Sequence, residues 1–209
     1  MKLLIRMPTY GRPEKVLAAL PKYYELLSGQ VDFEFIISCD RSDETMNTAE
    51  MQAALKPFPN LTVHYADFSG KIDAYNGHMD VCSDWDVAMI TSDDMVPVEM
   101  GFDRIIMEEM QRRFPDTDGA LHFDDGYQGE KLNTLPILGR RYYERFGYVY
   151  HPSYKGFYCD DEFALVARQL EKIAYIDRVI IRHDHPCNIG AEKDALYRER
   201  DRSFLVDKA

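Results

Sequence analysis

Short apolar runs alternate with amphipathic stretches through the first half of the chain, a pattern that predicts an α/β fold with a largely parallel sheet. Apolar residues dominate positions 3–7, 33–39, 61–66 and 87–91, and each run is predicted as a strand. Positions 8–13 form the loop that ends the first run. Helices are predicted over 14–27, 44–55, 72–81 and 100–114, and the first places Val16, Leu17, Leu20, Tyr24 and Leu27 on one stripe. The second half is less regular. Strands are expected at 120–123 and 175–181, a helix at 161–170, and aromatic or Gly-rich loops at 124–129 and 148–158. Mixed charges fill 192–202, which reads as a solvated helix.

Composition narrows this picture. With 209 residues and 45% hydrophobic content, the chain can bury one substantial core, so a single domain over 1–209 is expected. The layout suggests a nucleotide-binding half over about 1–95, an acceptor-binding half over about 96–190 and a charged tail over 191–209. Four cysteines, Cys39, Cys82, Cys159 and Cys187, lie far apart with no Cys-x-x-Cys pair, so neither a zinc ribbon nor a dithiol motif is indicated. The opening MKLLIRMPTYGRP reaches Arg6 too soon for the apolar core of a signal peptide. No stretch approaches the roughly 20 apolar residues that cross a bilayer. A cytoplasmic location is the default expectation.

The formal charge is -11, from 36 acidic and 25 basic residues. Such a balance disfavours nucleic acid and anionic membranes, though it does not forbid a local basic patch. It also sets a condition for any diphosphate ligand, which needs clustered cations or a bound metal ion in this field.

In parallel α/β sheets ligands gather beyond the carboxyl ends of strands. Four such places carry polar residues: Pro8-Thr9-Tyr10-Gly11-Arg12-Pro13, Cys39-Asp40-Arg41-Ser42-Asp43, Ser69-Gly70-Lys71 and Thr91-Ser92-Asp93-Asp94. Each taken alone has a plain structural use: prolines stiffening a turn, Asp43 capping the next helix, Gly70-Lys71 opening a helix, or Asp94 leading into one at Val96-Pro97-Val98-Glu99. Their order is more informative than any one of them. MPTYGRP, ISCDRSDET, SGKIDAYNGHM, MITSDDM, CDDEF and the closing RHDHP together resemble family 2-like glycosyltransferases of the GT-A fold, from Leu3 to about Pro186. The resemblance implies a single Rossmann-like domain with a mostly parallel central sheet flanked by helices. It also implies a nucleotide sugar donor, a metal at the paired aspartates and an acidic base near Asp161.

In that pattern Pro8, Thr9, Tyr10 and Arg12 line the base and ribose, with Lys71 near the nucleotide. Asp40 can accept from the ring N–H that uracil, thymine and guanine offer, which makes a UDP-sugar or a close relative the expected donor. Hard cations such as Mg²⁺ and Mn²⁺ favour carboxylate and phosphate oxygens, so Asp93 and Asp94 are candidate ligands, with Ser92 beside the nucleotide. Where the family often has Asp-x-Asp, this chain has Thr91-Ser92-Asp93 followed by Asp94, and which aspartate binds metal stays open. A histidine can complete the site, His185 being preferred and His183 next. Asp161, with Asp160 adjacent, matches the position of the base that takes the acceptor proton in inverting transfer. Three acids at a helix start would also simply suit the helix dipole. Half of the aromatics from Tyr142 to Tyr158 are expected in the core and half against ligand.

The reading is therefore a metal-dependent, inverting glycosyltransferase whose hydroxyl acceptor is a glycan, a small molecule or a modified nucleobase. Two alternatives remain: a nucleotidyltransferase, disfavoured by a first loop with one glycine and one arginine after the strand, and an inactive nucleotide or carbohydrate binder of the same fold.

Overall fold

The computed structural model describes residues 1–82, 84–192 and 197. The elements of the first half are β1 (Lys2–Thr9), α1 (Pro13–Leu26), β2 (Asp32–Asp40), α2 (Ala49–Leu55), β3 (Leu61–Ala66), α3 (Lys71–Asn76) and β4 (Val87–Ile90). They are followed by β5 (Met95–Pro97), α4 (Phe102–Arg113), β6 (Ala120–Asp124), β7 (Ile137–Gly139), α5 (Arg140–Glu144), α6 (Cys159–Gln169), β8 (Ile173–Val179), β9 (Ile181–His183) and α7 (Pro186–Ile189). The helix expected at 192–202 falls, except for positions 192 and 197, outside the described residues.

Among the described residues a seven-stranded sheet runs β3-β2-β1-β4-β7-β6-β8. β1 pairs in parallel with β2 and β4, β2 with β3, and β6 with β8. β7 is antiparallel to both its neighbours. The sheet is thus mostly parallel, with helices covering its faces. β1 and β4 sit in the middle, and Leu3, Leu4, Ile5, Val87, Ala88, Met89 and Ile90 are all fully buried, as strands covered on both sides require. One layer of core, with Tyr23, Phe35 and Phe102, lies under α1 and α4. The other packs Trp85, Tyr142, Tyr150 and Phe163 beneath α3, α5 and α6.

Several boundaries differ from expectation for identifiable reasons. The helix expected from 44 starts only at Ala49, because Asp43 Oδ1 takes the amides of Thr45 and Met46 into a turn. Thr48, not Asp43, caps the helix by accepting from Met51 N at 3.1 Å. The helix expected to reach 81 ends at Asn76. Its terminal carbonyls, Ala74 O and Gly77 O, are taken by the guanidinium of Arg6, which is fully buried in the middle of β1. A cation at a helix carboxyl end is favourable, and His78 then turns the chain at φ 59°. Residues 95–97 form a strand rather than a helix start, since they pair antiparallel with β9. The strand expected at 175–181 is divided into β8 and β9 at Ile180. β7 and α5 had no predicted counterpart.

Candidate active site

The carboxyl ends of β1, β2, β3 and β4 open onto one cleft of about 890 Å³, a volume within the range of ligand sites. All four strand-end loops line it: Pro8, Thr9, Tyr10 and Arg12 from the first, Asp40 and Ser42 from the second, Ser69 to Lys71 from the third, and Ser92 to Asp94 from the fourth. Asp43 joins the first two loops. It is 3% exposed, and its Oδ2 accepts Gly11 N at 2.6 Å while Oδ1 holds the turn that follows. Gly11 at φ 66° is in the left-handed region that favours glycine. Asp43→Ala leaves the amides of Gly11, Thr45 and the buried Met46 without this acceptor and should destabilise the chain by about 2 kcal/mol, read by chemical denaturation.

The two neighbouring aspartates have different surroundings. Asp93 accepts from Thr9 Oγ1 at 2.8 Å and from Arg12 at 3.2 Å, so two of the cleft residues expected to line the nucleotide also hold this carboxylate. Burial raises the Asp93 pKa, against the opposing pull of Arg12. Asp94 accepts from the hydroxyls of Ser92 and Tyr197 and lies 3.6 Å from His183 Nε2. Burial pushes its pKa up, but His183 and the two hydroxyls outweigh that and hold it below the usual carboxylate range.

The β5–β9 ribbon creates this meeting. Met95 pairs with His183, and Asp184 N donates to Asp94 O at 2.8 Å, so the imidazole is set beside the carboxylate. It is His183, not the preferred His185, that faces Asp94. His185 caps α7, its Nδ1 accepting from Cys187 N at 3.2 Å, and its ring centre is 5.6 Å from that of His183. The other nitrogen of His183 is 3.8 Å from Asp125 Oδ2, and is buried without a hydrogen bond. Burial lowers the His183 pKa, but the two flanking carboxylates prevail and raise it to about 9. Once a cation displaces the imidazole proton, a carboxylate oxygen and an imidazole nitrogen at 3.6 Å fit the donor chemistry of Mn²⁺ and tolerate Mg²⁺.

Among the described residues, a tight group of three acidic or thiol donors occurs elsewhere, at Glu34, Cys82 and Asp84. It lies at the amino ends of the strands and holds the Lys2 ammonium, 2.9 Å from Asp84 and 3.3 Å from Glu34. That cluster is therefore an ion-pair network remote from the cleft.

The remaining wall comes from the loop before α6 and its first turn. Tyr158, at φ 60°, redirects the chain so that Asp160 and Asp161 both line the cleft. Partial burial and the neighbouring Asp160 charge raise the Asp161 pKa, countered by Arg168. Asn76 at the end of α3 clasps this loop: its Oδ1 accepts Val149 N and Tyr150 N, both at 2.9 Å, and its Nδ2 donates to Tyr150 O at 2.7 Å. Lys71, on the same helix, lines the cleft with its ammonium 5.3 Å from the Tyr75 ring centre. Asp40 keeps its place at the cleft, yet it already accepts from Ser42 N, Ser42 Oγ and Phe68 N. Of the aromatic segment, Tyr142, Tyr143 and Tyr150 are core, while Phe157 and Tyr158 line the cleft and Tyr150 edges it.

Sequence reasoning missed Asp125 and Tyr197. Asp125 is 2% exposed and accepts from Tyr127 N, Gln128 N and Thr134 Oγ1 while flanking His183. An Asp-Asp-Gly turn was its one visible signal.

The sequence matches no family model and no curated protein. Solved structures match the architecture. The mannosyltransferase PcManGT from Pyrobaculum calidifontis, in complex with GDP-Man and Mn²⁺, superposes with a TM-score of 0.63 at 16% identity, over 85% of this chain and 54% of that one. TarS of S. aureus in complex with UDP-GlcNAc gives 0.67 at 13% identity, over 93% and 60%. The chain has a GT-A fold. A Drosophila β1,4-galactosyltransferase 7 variant, in complex with manganese, UDP-Gal and xylobiose, gives 0.59 at 13% identity, over 97% of this chain and 79% of that one. The chain thus spans little more than half of PcManGT and 60% of the TarS chain. None of its described helices is long and apolar enough to cross a membrane.

Proposed function

We propose that this chain is a glycosyltransferase that moves a sugar from a nucleoside diphosphate donor to a hydroxyl acceptor, with a divalent cation and inversion at the anomeric carbon. The supporting observation is that Asp94, His183, Asp160 and Asp161, drawn from distant parts of the sequence, line one cleft at the strand ends of a GT-A fold. Asp94 and His183 would hold the cation, which neutralises the diphosphate and stabilises its departure. Asp93 keeps Thr9 and Arg12 in place beside them. Asp161 takes the proton of the acceptor hydroxyl as that oxygen attacks, and its raised pKa suits a base.

The structural relatives were solved with GDP-Man, UDP-GlcNAc and UDP-Gal, and guanine and uracil share the ring N–H that Asp40 can accept on its remaining lone pair. A glycan, small molecule or modified nucleobase would supply the acceptor hydroxyl. We place the reaction in the cytoplasm, a compartment in which the four free cysteines would stay reduced. Calorimetric titration with a panel of UDP- and GDP-sugars tests this reading. Binding of at least one donor should tighten by about tenfold or more with Mn²⁺, consistent with charge neutralisation in an acidic chain. Turnover should release free nucleoside diphosphate; release of pyrophosphate would instead establish nucleotidyl transfer.

A further inference from the structure

The aspartate pair is roofed by a residue from the far end of the chain. Tyr197 is 2% exposed, and its hydroxyl donates to Oδ2 of Asp94. Its ring centre lies 4.0 Å from the Arg12 guanidinium carbon, and 4.9 Å from both the Lys15 ammonium and the His185 ring centre. One side chain therefore touches the loop after β1, the loop after β4 and the start of α7. Stacked on Arg12, the ring also screens the Arg12–Asp93 ion pair from water.

A phenol bonded to a carboxylate can either occupy the place of a cation or fix the carboxylate for one. The geometry supports the second role. An ionised carboxylate offers about four lone-pair sites. Ser92 uses one on Oδ1 and Tyr197 one on Oδ2, which leaves an open site on each oxygen. Oδ1 still faces His183 Nε2 at 3.6 Å, so a cation held between them displaces neither hydroxyl. With one donor per oxygen, the carboxylate plane is held against rotation about its Cβ–Cγ bond. Partners of this kind orient a ligand, and removing them commonly weakens metal binding.

We propose that Tyr197 is a positioning residue that completes the cation site by fixing Asp94 toward His183. This rests on the reading of Asp94 and His183 as cation ligands. The test is Mn²⁺ binding without donor, followed through the electron paramagnetic resonance signal of the free ion, for the wild-type chain and Tyr197→Phe. The variant keeps the ring over Arg12 and removes only the hydroxyl. Mn²⁺ affinity should fall by about 10- to 100-fold. A parallel readout, the Mn²⁺-induced rise in melting midpoint, should be smaller in the variant at equal metal concentration. Equal or tighter Mn²⁺ binding by Tyr197→Phe overturns the role of Tyr197 and leaves the cation site standing. Absence of Mn²⁺ binding by the wild-type chain overturns the cation reading and this inference with it.

Discussion

Asp161→Asn should bind donor and Mn²⁺ as the wild-type chain does and turn over about 10²- to 10⁴-fold more slowly, the range expected for loss of a general base. The substitution keeps size and removes charge at the first turn of α6, so the fold is retained. The pH profile gives an independent check. A base acts in its ionised form, so the wild-type rate falls as pH drops through the Asp161 pKa. Partial burial and the adjacent Asp160 raise that pKa, which moves the acidic limb to higher pH than an ordinary aspartate would give. In Asp161→Asn the residual rate should lose that limb. Unchanged turnover would rule out the assignment, and unchanged binding with no turnover in the wild-type chain would identify a binder rather than an enzyme.

The second large effect is expected at Asp94. Asp94→Asn removes the charged oxygen that faces His183 at 3.6 Å, and kcat/KM should fall about 10²- to 10³-fold with loss of Mn²⁺ binding, a cost of several kcal/mol in leaving-group stabilisation. Asp93→Asn should behave differently despite being the adjacent residue. It removes the carboxylate that faces Arg12 and Thr9 inside the protein, so its signature is a loss of about 1–3 kcal/mol in unfolding free energy with Mn²⁺ binding partly kept. Comparing Mn²⁺ affinity and denaturation in the two variants separates cation ligand from loop anchor. Equal metal loss in both would show that the pair acts as one unit.

The first half of the fold was legible because each of its strands is a compact apolar run closed by turn residues, and parallel pairing sends the following loops to one edge. That rule sends Asp40, Lys71 and Asp94 to the edge where the cleft lies, and the order of the motifs was needed to give them roles. What the rule could not supply was contact between distant segments. β5 and β7 have three residues each, too few for any periodicity, and owe their existence to partners elsewhere in the chain. Without β5 the sequence could not choose between His183 and His185, since both follow an apolar run and differ only in which one the ribbon sets against Asp94. Helix ends were misjudged where a buried side chain intervened, as Arg6 does at Gly77 and Asp43 does at Thr45. Tyr197 was hidden for another reason: in a run of charges, one aromatic residue gives no signal of the cleft that it covers.

The antiparallel ribbon has a consequence for the order in which the protein acquires its chemistry. Because Asp94 meets His183 only after Ile181, Arg182 and His183 have paired with Pro97, Val96 and Met95, the proposed cation site depends on a contact of long sequence separation. The residues of β1 to β4 and the cleft loops that follow them are all made before the imidazole. On the proposed reading, cation capture would thus wait until residues 181–183 have been made, and a product terminated before residue 181 would lack both β9 and the imidazole that it sets against Asp94.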